Sequence, residues 1–304
     1  MKKTLLVLAL LLVATTICPA FAEKNHGGSG HKTAHDADAA YAKGDYQTAY
    51  EIWLTFADKG SYAQYSLGRL YANGQGVAQS NRTARDWWQK SMRDIEQSRV
   101  LLSILPEPSD PQYTYATIHE KWQPAAAAGD ADTQYKLAFL YLTGIGVPQN
   151  DTKALVWFEK AANQNHAAAQ YQLGKIHDRS NRVPCAAAQA IQWWEKASAL
   201  GNADAQNILA LRYDMGFHLT PHYPRDECRA IALREQAAAQ GHPEAQTWLA
   251  QTYMYDQPHC NLVANRDKAR ALLEQAIANG GENTRKQAER VLYALEHNGR
   301  YPSP

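Results

Sequence analysis

Cysteine and histidine are the residues of this sequence best suited to chemistry, and they concentrate late in the chain. Cys185, Cys228 and Cys260 recur at intervals, His218 and His222 lead towards Cys228, and His259 sits beside Cys260. Thiol and imidazole are zinc-ligand types. Their spacing here matches no zinc signature, and the stretch around His218 and Pro221 reads as loop. Surface histidines next to a disulfide, with no metal, are the expectation. Other catalytic signatures are missing too. The sequence has no G-x-S-x-G for a nucleophilic serine, no H-E-x-x-H and no Walker loop, and Gly28-Ser29-Gly30 follows no strand. Carboxylates are scattered over helix surfaces, where solvated charge is the ordinary role. No catalytic residue and no cofactor is expected, and the protein reads as a non-enzyme.

The N-terminus carries a different signal. Lys2 and Lys3 precede an apolar run from Leu5 to Val13, and Ala20-Phe21-Ala22 follows. A positive start, an apolar core too short to span a membrane and a small-residue cleavage site make a secretory signal over residues 1–22. The mature chain is expected to begin at Glu23 and to reach the periplasm, with secretion the alternative. Thr15-Thr16-Ile17 before Cys18 is a poor lipidation site. No later segment has the length and apolarity of a membrane span, so no membrane insertion of the mature chain is expected. Of the 31 basic residues, Lys2 and Lys3 belong to the signal, which leaves 29 against 30 acidic ones. Such a balance offers no electrostatic footprint for nucleic acid or for anionic lipid.

The elements that would position any site are repeats. One pattern recurs at Ile52-Trp53, Trp87-Trp88, Lys121-Trp122, Trp157-Phe158, Trp193-Trp194, Leu233-Arg234 and Leu272-Leu273, at steps of 34 to 40 residues. Apolar and small residues fall at helical spacing around each copy, which makes it the second helix, B, of a repeated pair. Between the copies lies another pattern. It starts at Gln64, Gln134, Gln170, Gln206 and Gln246, with leucine three residues on, glycine or alanine at four, and tyrosine or histidine at seven. Positions 0, 3, 4 and 7 share one helical face, so this is helix A. A degenerate unit is expected between Gln64 and Gln134, with helix A over Gln97 to Leu105 and helix B over Tyr115 to Ala128. Gly74-Gln75-Gly76-Val77 and Gly144-Ile145-Gly146-Val147-Pro148 supply tight A-to-B turns. The recurrent B-helix tryptophans read as core.

The frame A-x-x-x-L-G-x-x-Y-x-x-G-x-G-V followed by A-x-x-W-x-x-K-A-A-x-x-G resembles the Sel-1-like repeat family, a relative of the tetratricopeptide repeat. The resemblance covers roughly residues 40–282. It implies an all-α, right-handed α/α superhelix of about seven helix-turn-helix units that binds another protein. The expected organisation is a signal at 1–22, a disordered leader at 23–33, the repeat solenoid at 34–282, and a capping helix and tail at 283–304.

In such arrays the A helices line the concave side. Positions 2, 5 and 9 from each glutamine would then face a partner. They are polar in most units but become Ile208, Leu211 and Met215, then Trp248 and Tyr255, late in the chain; Phe139 is an earlier apolar member. These six residues are the candidate partner-binding set, with packing under the long loops as the bland alternative. Cys185, Cys228 and Cys260 each fall in an A-to-B loop. Because there is one per unit, any bridge must cross between units and leave one thiol over. Long loops are needed to bring two together, which favours Cys228–Cys260. The expected role is a periplasmic adaptor that organises envelope proteins. The alternatives are an immunity protein that neutralises a toxic effector such as a lipase, a use the family resemblance implies, and a secreted factor that engages host proteins.

Overall fold

The computed structural model describes residues 33–58, 60–106, 114–179, 184–216 and 225–297. The expected signal, nearly all of the leader, His218 and His222 lie outside the described residues. Fifteen α-helices are found among the described ones. They pair along the chain as α1 (Ala34–Ala42) with α2 (Tyr46–Phe56), α3 (Ser61–Asn73) with α4 (Asn81–Ser91), α7 (Ala131–Thr143) with α8 (Asp151–Ala162), α9 (Ala167–Arg179) with α10 (Pro184–Ala199), α11 (Ala203–Met215) with α12 (Glu227–Ala239), and α13 (Pro243–Tyr253) with α14 (Arg266–Asn279). The odd unit is α5 (Glu96–Ile104) and α6 (Tyr115–Ala127), and α15 (Glu282–Glu296) closes the series against α14 and α13. The architecture is an α/α solenoid.

Local chemistry starts the B helices in nearly the same way each time. Asp45, Ser80, Asn150, Asp226 and Asn265 are N-caps whose side chains accept the N–H three residues on. Each cap satisfies one of the four unpaired donors of a helix start, a contribution of about 1 kcal/mol. The A helices use Asp130 and Asn202, and, less usually, the Nδ1 of His166 and His242.

The glutamine that opens the helix A pattern works at the other end of the preceding B helix. The side-chain amides of Gln134, Gln170, Gln206 and Gln246 donate to the carbonyls of Ala126, Ala162, Ser198 and Ala238, each eight residues earlier. A helix end leaves carbonyls without partners, so one buried amide per unit both satisfies that end and fixes the next helix on it. The tyrosine at position seven ties three helices together. Tyr213 donates to Glu195 on the preceding B helix at 3.1 Å, while Arg229 of the following one lies over its ring at 4.5 Å. Tyr253, Glu235 and Lys268 repeat the arrangement.

Packing within a pair turns on the small residue at position four. A Cβ added to Gly68 would run into the indole of Trp88, and one added to Gly174 into that of Trp194. Both indoles also donate to a backbone carbonyl of the facing helix at 3.3 Å, that of Tyr65 or Tyr171. The preceding unit places Ala138 where Phe158 replaces tryptophan, and both are fully buried. Between units, the second glycine of the G-x-G-V turn is the point of closest approach. Gly146 has φ +71° and lies so near the Tyr115 backbone that no side chain fits; Gly76 stands in the same relation to Tyr46.

The expectation for the tryptophans needs correcting. Trp53, Trp88 and Trp194 are buried, but Trp87, Trp122, Trp157 and Trp193 are only half-buried. Trp87 and Trp193 come one residue before a buried tryptophan, and Trp157 one before buried Phe158. One residue is about 100° around the helix, which turns them out of the core. A lysine three residues on covers each of these three rings, with Lys90, Lys160 and Lys196 at 4.0, 4.2 and 4.2 Å.

The third unit departs from the rest. Here α5 packs on α4 but makes almost no contact with α6, so the two form no hairpin. Nevertheless α6 keeps the place of a B helix. Tyr115 stacks on Trp88 at 5.8 Å and meets Gly146 of the next turn. The inner row closes up where α5 would have stood: Asn73 at the end of α3 donates to the Gly144 carbonyl at 2.7 Å and accepts from the Gly146 N–H at 2.9 Å.

Gly174→Ala is expected to destabilise the protein by about 1–3 kcal/mol, the usual cost of overpacking. Combining it with Trp194→Phe should recover part of that loss, because alanine opposite phenylalanine already occurs at Ala138 and Phe158. Urea unfolding of the single and double variants checks both statements.

Candidate functional site

The inner stripe of A-helix residues is covered in one part of the array and open in another. Ser66, Phe139 and Gln172 are buried, at 0, 1 and 5% exposure. The covering element beside α9 and α11 is α5. Glu96 accepts from the Gln172 amide at 2.7 Å and pairs with Lys175, and Arg99 pairs with Asp204 at 3.1 Å. These contacts join α5 to helices two and three units further on. Phe139 is therefore not part of a binding surface. It lies 6.1 Å from the ring of Tyr135, in the core cluster that also holds Leu101 and Leu105.

Late in the array the stripe is uncovered. Leu211, Met215, Trp248 and Tyr255 are 36, 51, 38 and 57% exposed. Ile208 is intermediate, half-buried against the cluster around Leu209 and Tyr213. Trp248 is held from below by Arg234, whose guanidinium lies 5.4 Å from the ring centroid. Arg234 is itself buried and paired with Asp214. A tryptophan backed by a fixed cation loses little freedom when a partner covers its other face. An open cleft of about 400 Å³ lies between α13 and α15, lined by Gln251 of the stripe together with Lys286 and Arg290.

A polar seam borders the covered part. Burial alone would raise the Asp204 carboxyl, but hydrogen bonding and charge from His242 and Arg99 outweigh it and bring it down to about 2. Burial pushes the Tyr135 and Tyr171 hydroxyls up, and the nearby Glu96 and Asp204 add to it. At the same rim Asp94 accepts from the Ser61 hydroxyl at 2.7 Å and from the Glu282 N–H at 2.6 Å. The start of α15 is thereby held to the start of α3. Sequence periodicity placed α5 as an ordinary A helix and missed this role. A signal was present in the absence of the glutamine-leucine-small pattern from Gln97 onwards.

The start of α12 meets the short turn after α13. Cys228, at the start of α12, is joined to Cys260 with a Cα separation of 5.1 Å. His259 turns its Nε2 to Glu227 at 3.1 Å. Nothing is described of the Cys185 side chain.

The repeat geometry can now be compared with known proteins. The Sel1 repeat pattern matches residues 61–91, 131–166, 167–202, 203–242 and 243–281, more than half of the chain. This chain belongs to the Sel1 repeat family. The matched Sel1 repeats skip residues 92–130, the unit in which α5 has left its hairpin. No curated protein matches the sequence. Among solved structures, a protective antigen of uropathogenic Escherichia coli strains displaying an SLR fold is 26% identical with a TM-score of 0.53. The match covers 89% of this chain but only 58% of that one. A Sel1 repeat protein from Oxalobacter formigenes is 24% identical over 90% of this chain and 92% of its own, at TM-score 0.46. An immunity protein from Pseudomonas aeruginosa is 16% identical over 88% and 85%, at TM-score 0.29. Sel1 repeats mediate protein–protein interaction, and the described residues contain no helix long and apolar enough to cross a membrane.

Two outcomes are expected from these contacts. The folded Asp204 carboxyl titrates below the ordinary 3.8, so its stabilisation is complete above about pH 4 and is lost as the pH falls towards 2. Urea unfolding between pH 5 and pH 2 should therefore show a loss of at most about 2 kcal/mol that Asp204→Asn lacks. The bridge between Cys228 and Cys260 closes a loop with a sequence separation of 32. Reducing it should cost up to about 3–4 kcal/mol, and non-reducing peptide mapping should recover the two cysteines in one linked fragment.

Proposed function

We propose that this chain is a non-enzymatic adaptor of the bacterial envelope, exported with cleavage after Ala22, that holds a partner protein on the late inner stripe. The carrying observation is the change in exposure along one structural position. Where Phe139 and Gln172 are covered, Leu211, Met215, Trp248 and Tyr255 are open. An exposed apolar and aromatic stripe on a soluble repeat array is a docking surface by default, and tryptophan and tyrosine are the residues that most often dominate binding energy. The cleft beside Gln251 adds Lys286 and Arg290. The partner that fits is a protein segment with an apolar or aromatic anchor next to a carboxylate. Export is supported by the order Lys2-Lys3, Leu5 to Val13 and Ala20-Phe21-Ala22, and by a disulfide that an oxidising compartment would preserve.

Cross-linking capture from a periplasmic extract tests this reading. The captured bait should begin at Glu23 on N-terminal sequencing. One partner should be lost with Trp248→Ala and Leu211→Ala, yet kept with Arg82→Ala, an exposed residue in the first turn of α4. If both stripe variants retain every partner while keeping the helical circular dichroism of the parent, the stripe is not the docking surface. A single tight partner encoded next to this gene and toxic in its absence would replace the adaptor role with that of an immunity protein.

A further inference from the structure

The start of α12 and the turn after α13 bring together more than two sulfurs. The ligand atoms of Cys228, His259 and Cys260 all lie within 4.8 Å of one another. Cys228 Sγ also stands 3.5 Å from the His259 carbonyl oxygen. His259 and Cys260 sit in one short 3-10 turn, Pro258–Cys260, while Cys228 belongs to the first turn of α12. The Glu227 carboxylate meets His259 Nε2 at 3.1 Å. We propose that, once the Cys228–Cys260 bond is reduced, Cys228, Cys260 and His259 bind one zinc ion, with Glu227 orienting the histidine.

The donor set has the right chemistry. Two thiolates and an imidazole select zinc over the hard cations, which take oxygen. A carboxylate that holds one ring nitrogen is the usual outer partner of a zinc-bound histidine and leaves Nδ1 as the ligand. The geometry needs little rearrangement. Zn–S bonds of about 2.3 Å in a tetrahedron place two sulfurs roughly 3.8 Å apart, so the bonded sulfurs must separate on reduction, while the three ligand atoms already lie within 4.8 Å of one another. With three protein ligands the fourth position stays open to water, and His259 is 54% exposed, so the ion can enter from solvent. Their spacing matches no zinc signature, because Cys228 meets the other two residues only where the first turn of α12 approaches the turn Pro258–Cys260.

The reaction balances. A dithiol or phosphine reductant supplies two electrons, the sulfur–sulfur bond breaks, and two thiols form. Zinc then displaces one proton from each. Since the ion spans the same two segments as the disulfide, the oxidised and the metal-bound chain share one fold.

Cobalt and zinc alone are the probes. A chain with Cys18→Ser and Cys185→Ser retains only the two thiols in question. After reduction and removal of the reductant, it should bind one equivalent of cobalt with sulfur-to-cobalt charge-transfer absorption, and zinc should displace the cobalt. The oxidised chain should show no such band, and Cys260→Ser should abolish its two-thiolate form. Glu227→Gln should weaken binding about 10- to 100-fold, and His259→Ala at least as much. Both residues are at the surface, so helical circular dichroism should not change. The proposal is overturned if the reduced chain shows no sulfur-to-cobalt band, if His259→Ala and Glu227→Gln leave the affinity unchanged, or if reduction unfolds the chain and zinc does not restore it.

Discussion

In two of the units the distance between the helices is set by an indole packed against a residue with almost no side chain. Trp88 over Gly68 and Trp194 over Gly174 leave no room for even a methyl group. Where the aromatic is smaller, as at Phe158, alanine is admitted. In the later units Ala210 and Ala250, both fully buried, hold the same small-residue place. A close pair brings the opening glutamine within reach of the preceding helix end, and it sets the position-seven tyrosine beside a glutamate of one neighbour and a cation of the next. Interiors packed at crystal density transmit such a constraint along the array rather than absorbing it.

The third unit shows what happens when the pattern is relaxed. Without its own small-residue contact, α5 makes no hairpin with α6 and lies against α9 and α11 instead. Two consequences follow from that displacement. The inner row closes up through Asn73, and the inner surface near the middle of the array is filled by charged residues that pair with Lys175 and Asp204. On the stripe itself, apolar side chains stay open on α11, on α13 and in the loop that follows, at Leu211, Met215, Trp248 and Tyr255. The proposed docking surface is therefore set as much by the helix that occupies the other places as by the residues that remain exposed.

Much of this was legible in the sequence. Helix pairs, their order and the turns could be read because each unit repeats the same residues at the same offsets, and a pattern repeated five times outweighs local ambiguity. Leu211, Met215, Trp248 and Tyr255 stood out against polar equivalents and are exposed. Phe139 has the offset of an inner-face residue, but it is buried in a core cluster drawn from several helices, Leu101 and Leu105 of the third unit among them. Trp87, Trp157 and Trp193 were misplaced because recurrence was equated with burial, although one residue of rotation separates a buried ring from one that lies under lysine. Contacts such as Arg99 with Asp204 join units three apart, whereas the repeat pattern marks only contacts within a unit and between neighbours, so it does not reveal them.

Asp94 carries a consequence for how the array comes apart. A row of units coupled only to nearest neighbours behaves as an open line, and an open line frays from whichever end is weaker. By accepting from both Ser61 and the Glu282 N–H, Asp94 adds a coupling between distant units and turns part of the line into a loop. In a loop the last helix has a neighbour on both sides, so it cannot peel away while the early units stay indifferent. Opening it becomes a shared event, and unfolding gains a cooperativity that the count of repeats alone would not supply.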